Sequence, residues 1–581
     1  MTAVSDAPAV SPDAPPSGGA RRLTVGEWAT IAYVGGLLVL GLPDVSSAYW
    51  SPKAALVLVA ILPGVVALGR LLSVRDRAAI AGAGFVVVAA VATILSPSPF
   101  LSLVGLYIEG TGFLFVVAVV GAWALGRHLS PAAGRILGSV VLAAAVANAV
   151  MCWLQMSSAF TGTLFARVDG RSPGMLGNPV HTTAFLVGAF ALAVERTREG
   201  GDEARARRIG YFAACGLFAS AVQLSGGRIG LVLLALVALR ALVRAGWRTT
   251  AVVAVVVALG VMVASTAFSS GSGAASRLAG SGRSTFSGRL DRWAMALPAI
   301  GERPVVGIGP GLYRRATSPH DTVAAARAFG ADSPYEDGHD LLVTYAVTTG
   351  LLGLAILAVW LALAGFRARG ELAWFTLFAG LSLLVQPQFI GLTPVLAVTL
   401  GAAAPRRMPP PTATVRAFVG VGLVVGLVAA GMLVRGDLTL GRAVADASPS
   451  TARRAGRLLP MWPDPPTVRA RLEETRARNL HGAAARDATR RAVAAARTAV
   501  EKDPSSPASW LVLARLELDR GHRRAATRAY RAVLRWNPQS AGAAAGFERL
   551  AADRGDASEA AQWCRRLQEV VDGARCLRVR R

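Results

Sequence analysis

Acidic residues and cysteine are both scarce in this 581-residue chain. It holds 35 Asp+Glu against 61 Lys+Arg, and charged residues of both signs amount to 17%. Four cysteines are too few for a disulfide framework, and no CxxC or Cys/His spacing of a zinc site occurs. What takes the place of charge is apolar: the chain is 53% hydrophobic. The apolar residues are not spread as in several soluble cores but stand in blocks of roughly 16–25, long enough to cross the ~30 Å hydrocarbon layer as helices. A soluble enzyme and a disordered protein are thereby excluded. The net charge of +26 would ordinarily raise nucleic acid. In a membrane protein arginine collects in cytoplasmic loops, so no nucleic acid partner is expected.

The blocks predict thirteen spans, at 26–43, 53–70, 78–95, 105–126, 136–156, 180–195, 209–224, 229–246, 249–268, 341–365, 371–386, 388–404 and 416–434. Residues 1–25 read as a disordered cytoplasmic tail rich in Ala, Pro, Ser and Gly. Twenty arginines fall in the loops that are cytoplasmic if the N-terminus is inside. Only Lys53, Arg167, Arg171 and Arg228 fall in the short outer ones. That alternation puts the long 269–340 segment and everything after 434 on the outer face of the cytoplasmic membrane.

The organisation expected is nine spans over 26–268, a long external loop, four spans over 341–434, a linker over 435–482 and a helical domain over 483–581. In that domain Pro504 and Pro538, Gly521 and Gly555, and Ala526 and Ala560 each stand 34 residues apart. The spacing matches a tetratricopeptide-like helical hairpin. Residues 442–581 carry 28 basic and 15 acidic residues. Facing outward, they are available to membrane lipid, anionic polymers or an envelope-protein partner. No candidate catalytic residue falls there. Cys564 takes the repeat position of Tyr530, with Cys576 twelve residues on; a disulfide and two free thiols are both compatible with that.

Polar groups at or just outside membrane depth are costly, which makes them the first functional candidates. Arg171 stands in Gly170-Arg-Ser-Pro-Gly-Met-Leu-Gly-Asn178-Pro179, Arg228 in Ser225-Gly-Gly-Arg-Ile-Gly230, and Arg289 and Arg292 in Gly288-Arg-Leu-Asp-Arg-Trp293. Guanidinium groups are planar donors suited to phosphate oxygens, and several together neutralise a diphosphate. His339, between Asp337-Gly338 and Asp340, is placed to take a hydroxyl proton. Asp332, Glu336, Asp337 and Asp340 lack the spacing of a cation loop and read as a solvated acidic stretch, and Gly307-Ile-Gly-Pro-Gly311 reads as a turn.

His339-Asp-x9-Gly350-x-x-Gly353 resembles the H-[NSQ]-x9-G-x-x-G element of the O-antigen ligase and Wzy-type polymerase superfamily. The Arg289–Trp293, Ser225–Gly230 and Gly170–Pro179 stretches are similar to others of that family, in family order. The resemblance implies an all-α, GT-C-like, metal- and cofactor-independent glycosyltransferase with an external tetratricopeptide tail. It would move a glycan from a polyprenyl diphosphate to the hydroxyl of a glycan or lipid acceptor at the outer face. Carried over, His339 activates the acceptor, Arg228 and Arg289 act on the diphosphate, and Arg171, Asn178, Arg292 and Asp340 bind substrate. Asp340 departs from the family's amide or serine, and a carboxylate there would favour the imidazolium. Two other classes stay open at this point: a transporter of an anionic solute, and a scaffold for envelope assembly.

Overall fold

The computed structural model describes residues 22–42, 48–161, 163, 165–198, 204–266, 274, 283–332, 338–406 and 408–577. Most of the expected N-terminal tail, and Glu336 and Asp337, lie outside the described residues. Among the described residues the chain is all helix, apart from one isolated bridge between Val168 and Arg171. Six helices are long and apolar enough to cross a membrane: Ser51–Ser73, Arg77–Ile94, Pro131–Leu154, Trp247–Thr266, Leu341–Phe366 and Ala413–Ala445. Val25–Val39, Phe113–Arg127, Gly370–Leu384 and Thr393–Ala402 are shorter apolar helices.

The bundle packs closely because small residues let backbones meet. A Cβ on Gly64 would stand 2.8 Å from the Cα of Gly121, so the Ser51–Ser73 and Phe113–Arg127 helices touch along their backbones. Helical residues run over Arg228–Thr266, of which Trp247–Thr266 is a span of its own. Yet Gly230 meets Val222, while the Gln223 amide donates to Ser265 Oγ at 3.0 Å. In a straight helix residues 230 and 265 would lie about 50 Å apart. The segment therefore doubles back.

Two expectations need correction. The span placed at 105–126 begins only at Phe113; a glycine-rich loop over 105–112, entered from the short helix Pro99–Val104, fills its outer part. The spans placed at 371–386 and 388–404 shrink to Gly370–Leu381 and Thr393–Ala402, because the Gln386-Pro387-Gln388 break widens into a connection over 385–392. Arg369 N–H donates to Ala403 O, so the two helices start and end at one level and carry that connection inward as a hairpin tip.

The loops that the arginine alternation assigns to one face do meet in space. Asp76 pairs with Arg127 at 2.7 Å and Arg406 at 2.8 Å; Glu371 pairs with Arg196 at 2.5 Å; Glu195 pairs with Arg240 and Arg198. At the other end lie the loops around residues 50, 108, 177, 228, 313 and 388, together with the tail. Ala413–Ala445 rises beyond the bundle, and residues 435–482, expected as a linker, are themselves helical over Pro449–Leu458 and Asp464–Arg478. Beyond them Pro507–Asp519 and Arg523–Trp536 pair as a hairpin, and Ala541–Ala552 and Ala557–Val570 repeat it 34 residues later. Cys564 and Cys576 are joined by a disulfide.

Candidate functional site

A cavity of about 530 Å³ opens at the end opposite the ion-paired loops. His339, Asn178, His181, Arg292, Arg314 and Glu109 supply its chemistry, and Tyr49, Trp50, Tyr313, Phe389 and Gln388 much of its wall. Residues from seven separate stretches of the chain thus converge on one space.

His339 owes its place to the helix that follows it. Asp340 caps Leu341–Phe366, its Oδ1 accepting from Leu342 N–H at 2.7 Å and Val343 N–H at 3.0 Å. His339, at φ +46, turns back from that cap into the cavity. An amide or a serine would cap equally well, which accounts for the carboxylate here: its first partner is the helix N-terminus. The same helix is broken at Gly350, with φ +70 and ψ 179. The freed backbone is taken up by the segment before it: Leu351 N–H donates to Pro304 O at 2.8 Å, Ile308 N–H to Val347 O at 3.1 Å and Gly309 N–H to Thr348 O at 2.9 Å. The Gly307–Gly311 turn therefore threads a helix break, and it fixes the height at which Thr344, Thr348 and His339 face the cavity.

Asn178 likewise caps Pro179–Arg196, accepting from Val180 N–H at 2.9 Å. Its loop is held from below by buried side chains: Asn148 Oδ1 accepts from Met175 N–H at 2.9 Å, Gln155 Oε1 from Gly174 N–H at 2.9 Å, and Lys53 Nζ donates to Met175 O at 2.7 Å. Lys53, expected in an outer loop, is fully buried beneath the cavity between the Tyr49 and Phe389 rings.

The arginines separate into two groups. Arg228 opens its helix after a turn seated on Thr183, which bonds Ser225 at 2.7 Å. Burial, and then the charges of Arg292 and Arg228, hold the Arg289 guanidinium below its ordinary value. These three cations are thus neighbours, and Arg292 reaches the cavity wall. Among the described residues, the Nε atoms of Arg228 and Arg289 are buried without a hydrogen-bond partner. Arg171 is separate: it pairs with Asp169 at 3.3 Å and does not line the cavity. Several helices begin at this end, among them those starting at Pro179, Arg228 and Leu341, and the positive ends of their dipoles add to the field.

Sequence reasoning missed Tyr49, Trp50, Glu109, Arg314, Gln388 and Phe389. The one signal available was the Gln386-Pro387-Gln388 break, whose flank Gln388-Phe389 is the hairpin tip at the cavity. Phe389 stacks on His181 with ring centres 4.5 Å apart. Below the cavity a second, largely apolar groove of about 910 Å³ runs from Leu341 and Leu342 along Trp360 and Trp374 to Arg240 and Arg369. Among the described residues, the His, Cys and carboxylate side chains that come close enough to share an ion are Glu548, Cys564 and Cys576 in the tail, and there the disulfide takes up both sulfurs.

Residues 213–358 match a family model described as O-Antigen ligase. The interval takes in Arg228, Arg289, Arg292, His339 and Asp340, and leaves out Arg171 and Asn178. No curated protein and no solved structure matches the chain.

Proposed function

We propose, from the O-antigen ligase domain at residues 213–358, that the protein transfers a glycan from a polyprenyl diphosphate to an acceptor hydroxyl at the outer face of the cytoplasmic membrane. The observation that carries the reading is the meeting of His339 and Arg292 on one cavity; Arg289 stands one helical turn before Arg292, and its guanidinium feels the charges of Arg292 and Arg228. His339 takes the acceptor proton as the oxygen attacks the anomeric carbon; the bond to the lipid diphosphate breaks, and its electron pair goes to a phosphate oxygen. Arginines at that oxygen stabilise the charge as it develops, where water is scarce. The apolar groove starting at Leu341 suits an isoprenoid chain. Glu109, the one carboxylate among the described lining residues, is the alternative base. The tail, read as tetratricopeptide repeats, lies outside with its disulfide, which agrees with an oxidising compartment.

The test is transfer from a polyprenyl-diphosphate glycan by the purified full-length protein in nanodiscs, with and without EDTA. Unchanged rates for both Arg228→Ala and His339→Ala would remove the site assignment. Loss of transfer in His339→Ala with Glu109→Gln unaffected assigns the base to His339, and the converse assigns it to Glu109. Abolition by EDTA would end the metal-free mechanism.

A further inference from the structure

The tail does not stand apart from the cavity. Arg315, 8% exposed, pairs at 2.5 Å with Asp503 of the tail, which is fully buried. The other oxygen of Asp503 accepts from Ser505 N–H at 3.0 Å and from Ser505 Oγ at 2.5 Å, so the carboxylate is held on both sides. Arg315 belongs to the five-residue helix Tyr313–Thr317, far too short to be stable by itself. Its two preceding residues, Tyr313 and Arg314, line the cavity, and Tyr313 OH donates to Arg292 O at 3.1 Å.

The next repeat makes the same kind of contact. Asn537 stands 34 residues after Asp503; each ends a helix and precedes a proline. Asn537 Nδ2 donates to Ala331 O at 2.7 Å, and Asp332 accepts from Ser540 Oγ at 2.5 Å and Gly542 N–H at 3.0 Å. Trp462, between the bundle and the repeats, donates to Gly105 O at 2.9 Å and sits among Trp50 and Tyr107, with ring centres 6.3 and 5.7 Å away. Trp50 is itself a cavity wall. Equivalent turns of successive repeats thus grip the outer loop at Arg315 and at Ala331–Asp332, seven residues before His339.

We infer that Asp503 is a positioning residue for the transfer reaction: by holding Arg315 it sets Tyr313 and Arg314 in the cavity wall, which makes the tail part of the site. This rests on the cavity being where transfer takes place; the docking does not. Misplacing a binding group by about 1 Å costs on the order of a hundredfold in rate.

The experiment uses full-length protein in nanodiscs and reads two things, transfer kinetics and a disulfide cross-link between thiols introduced by Asp332→Cys together with Ser540→Cys. The cross-link is made in a separate background and reports docking alone. Asp503→Asn and Arg315→Gln are expected to lower kcat by about tenfold or more with the cross-link still forming. The pair Asp503→Glu with Arg315→Lys, which keeps both charges and the overall reach, is expected to recover most of the loss. Transfer at the unmodified rate in Asp503→Asn, while Arg228→Ala is impaired, overturns the inference and leaves the reaction assignment standing. A cross-link lost together with activity overturns it as well, since Asp503 would then be a docking residue only. If Arg228→Ala and His339→Ala are also fully active, the reaction assignment fails first. Should Asp503→Asn not insert, failure of the Glu/Lys pair to restore the Arg315→Gln loss serves as the refutation.

Discussion

Gly350 and the carbonyl oxygen of Val305 occupy a space that no side chain can enter. A Cβ on Gly350 would fall well inside contact distance of that oxygen, and the residue sits at φ +70. Gly350→Ala therefore strains the backbone and pushes the 304–309 segment out of the helix break. The expected cost is at least ~2 kcal/mol, with transfer reduced in proportion to the protein that still closes the break. Thermal melting of the detergent-solubilised variant checks it; an unshifted transition would mean that the threading is slack.

Replacing Arg228 or Arg289 with alanine is expected to lower turnover about a hundredfold, near 3 kcal/mol, with insertion and expression retained. Arg228→Lys keeps the charge but loses the planar fork, and should fall between alanine and the parent. Arg171→Ala should be mild by comparison, since Arg171 faces Asp169 and lies off the cavity. An Arg171→Ala defect as deep as that of Arg228→Ala would show that the loop before Asn178 moves during the proposed transfer.

Burial pushes the Asp464 carboxyl up to about 6; the Asp503 charge adds to the rise, and Arg315 and Arg314 pull against it. A carboxyl raised above its unfolded value favours the folded tail while protonated. That contribution is complete below about pH 4 and is lost as pH rises through about 6. Asp464→Asn should then stabilise the tail at pH 7–8 by about 2–3 kcal/mol at most and flatten its stability between pH 4 and 6. Protease susceptibility of the tail across that range is the measurement. A steeper profile in the variant would contradict the sign.

Unreduced peptides spanning Cys564 and Cys576 should run as one bridged species, while Cys152 and Cys215 stay as buried thiols. Replacing both bridge cysteines with serine is expected to cost roughly 2–4 kcal/mol of tail stability. Two alkylatable tail thiols in native protein would contradict the bridge.

Cysteine introduced at Arg549 should react with an impermeant reagent in intact cells, and at Arg369 only after permeabilisation. Both positions are exposed, so silence reports the membrane and not burial. The reverse result would invert the orientation and move His339 inside.

Long apolar runs state their own meaning, which is why the main spans could be read along the chain. The hairpin tip at Gln388-Phe389 could not, because a proline break looks the same whether it joins two full spans or two shortened ones. Lys53 misled for a related reason: a lysine at a span's edge reads as loop, and only Met175 O and two aromatic rings, brought in from elsewhere, explain its burial. His339 and the arginines stood out through local motif. Tyr49, Trp50 and Arg314 had no such signal, since each is ordinary in its own segment and becomes a wall only where segments meet. The tail's repeat was plain in its 34-residue spacing, but a repeat pattern records what packs inside each hairpin. It is silent about the turns, where Asp503 and Asn537 face outward.

The ion pairs at the other end set where this protein can give way. Asp76 ties residues 127 and 406 together, and Glu371 ties Arg196 beside Ser139, so distant spans are fastened at a common base. Parting such pairs leaves buried charge without a partner, at several kcal/mol each. Apart from the buried Arg315–Asp503 pair, the cavity end is joined mainly by loops, caps and hydrogen bonds to neutral groups, which open for less. Compliance is therefore graded along the membrane normal, stiff at one surface and yielding at the other. If the cavity takes a bulky glycan as proposed, its entry would strain the compliant end, and amide exchange during transfer should rise around residues 99–112 while the Arg315-held segment and the base stay protected.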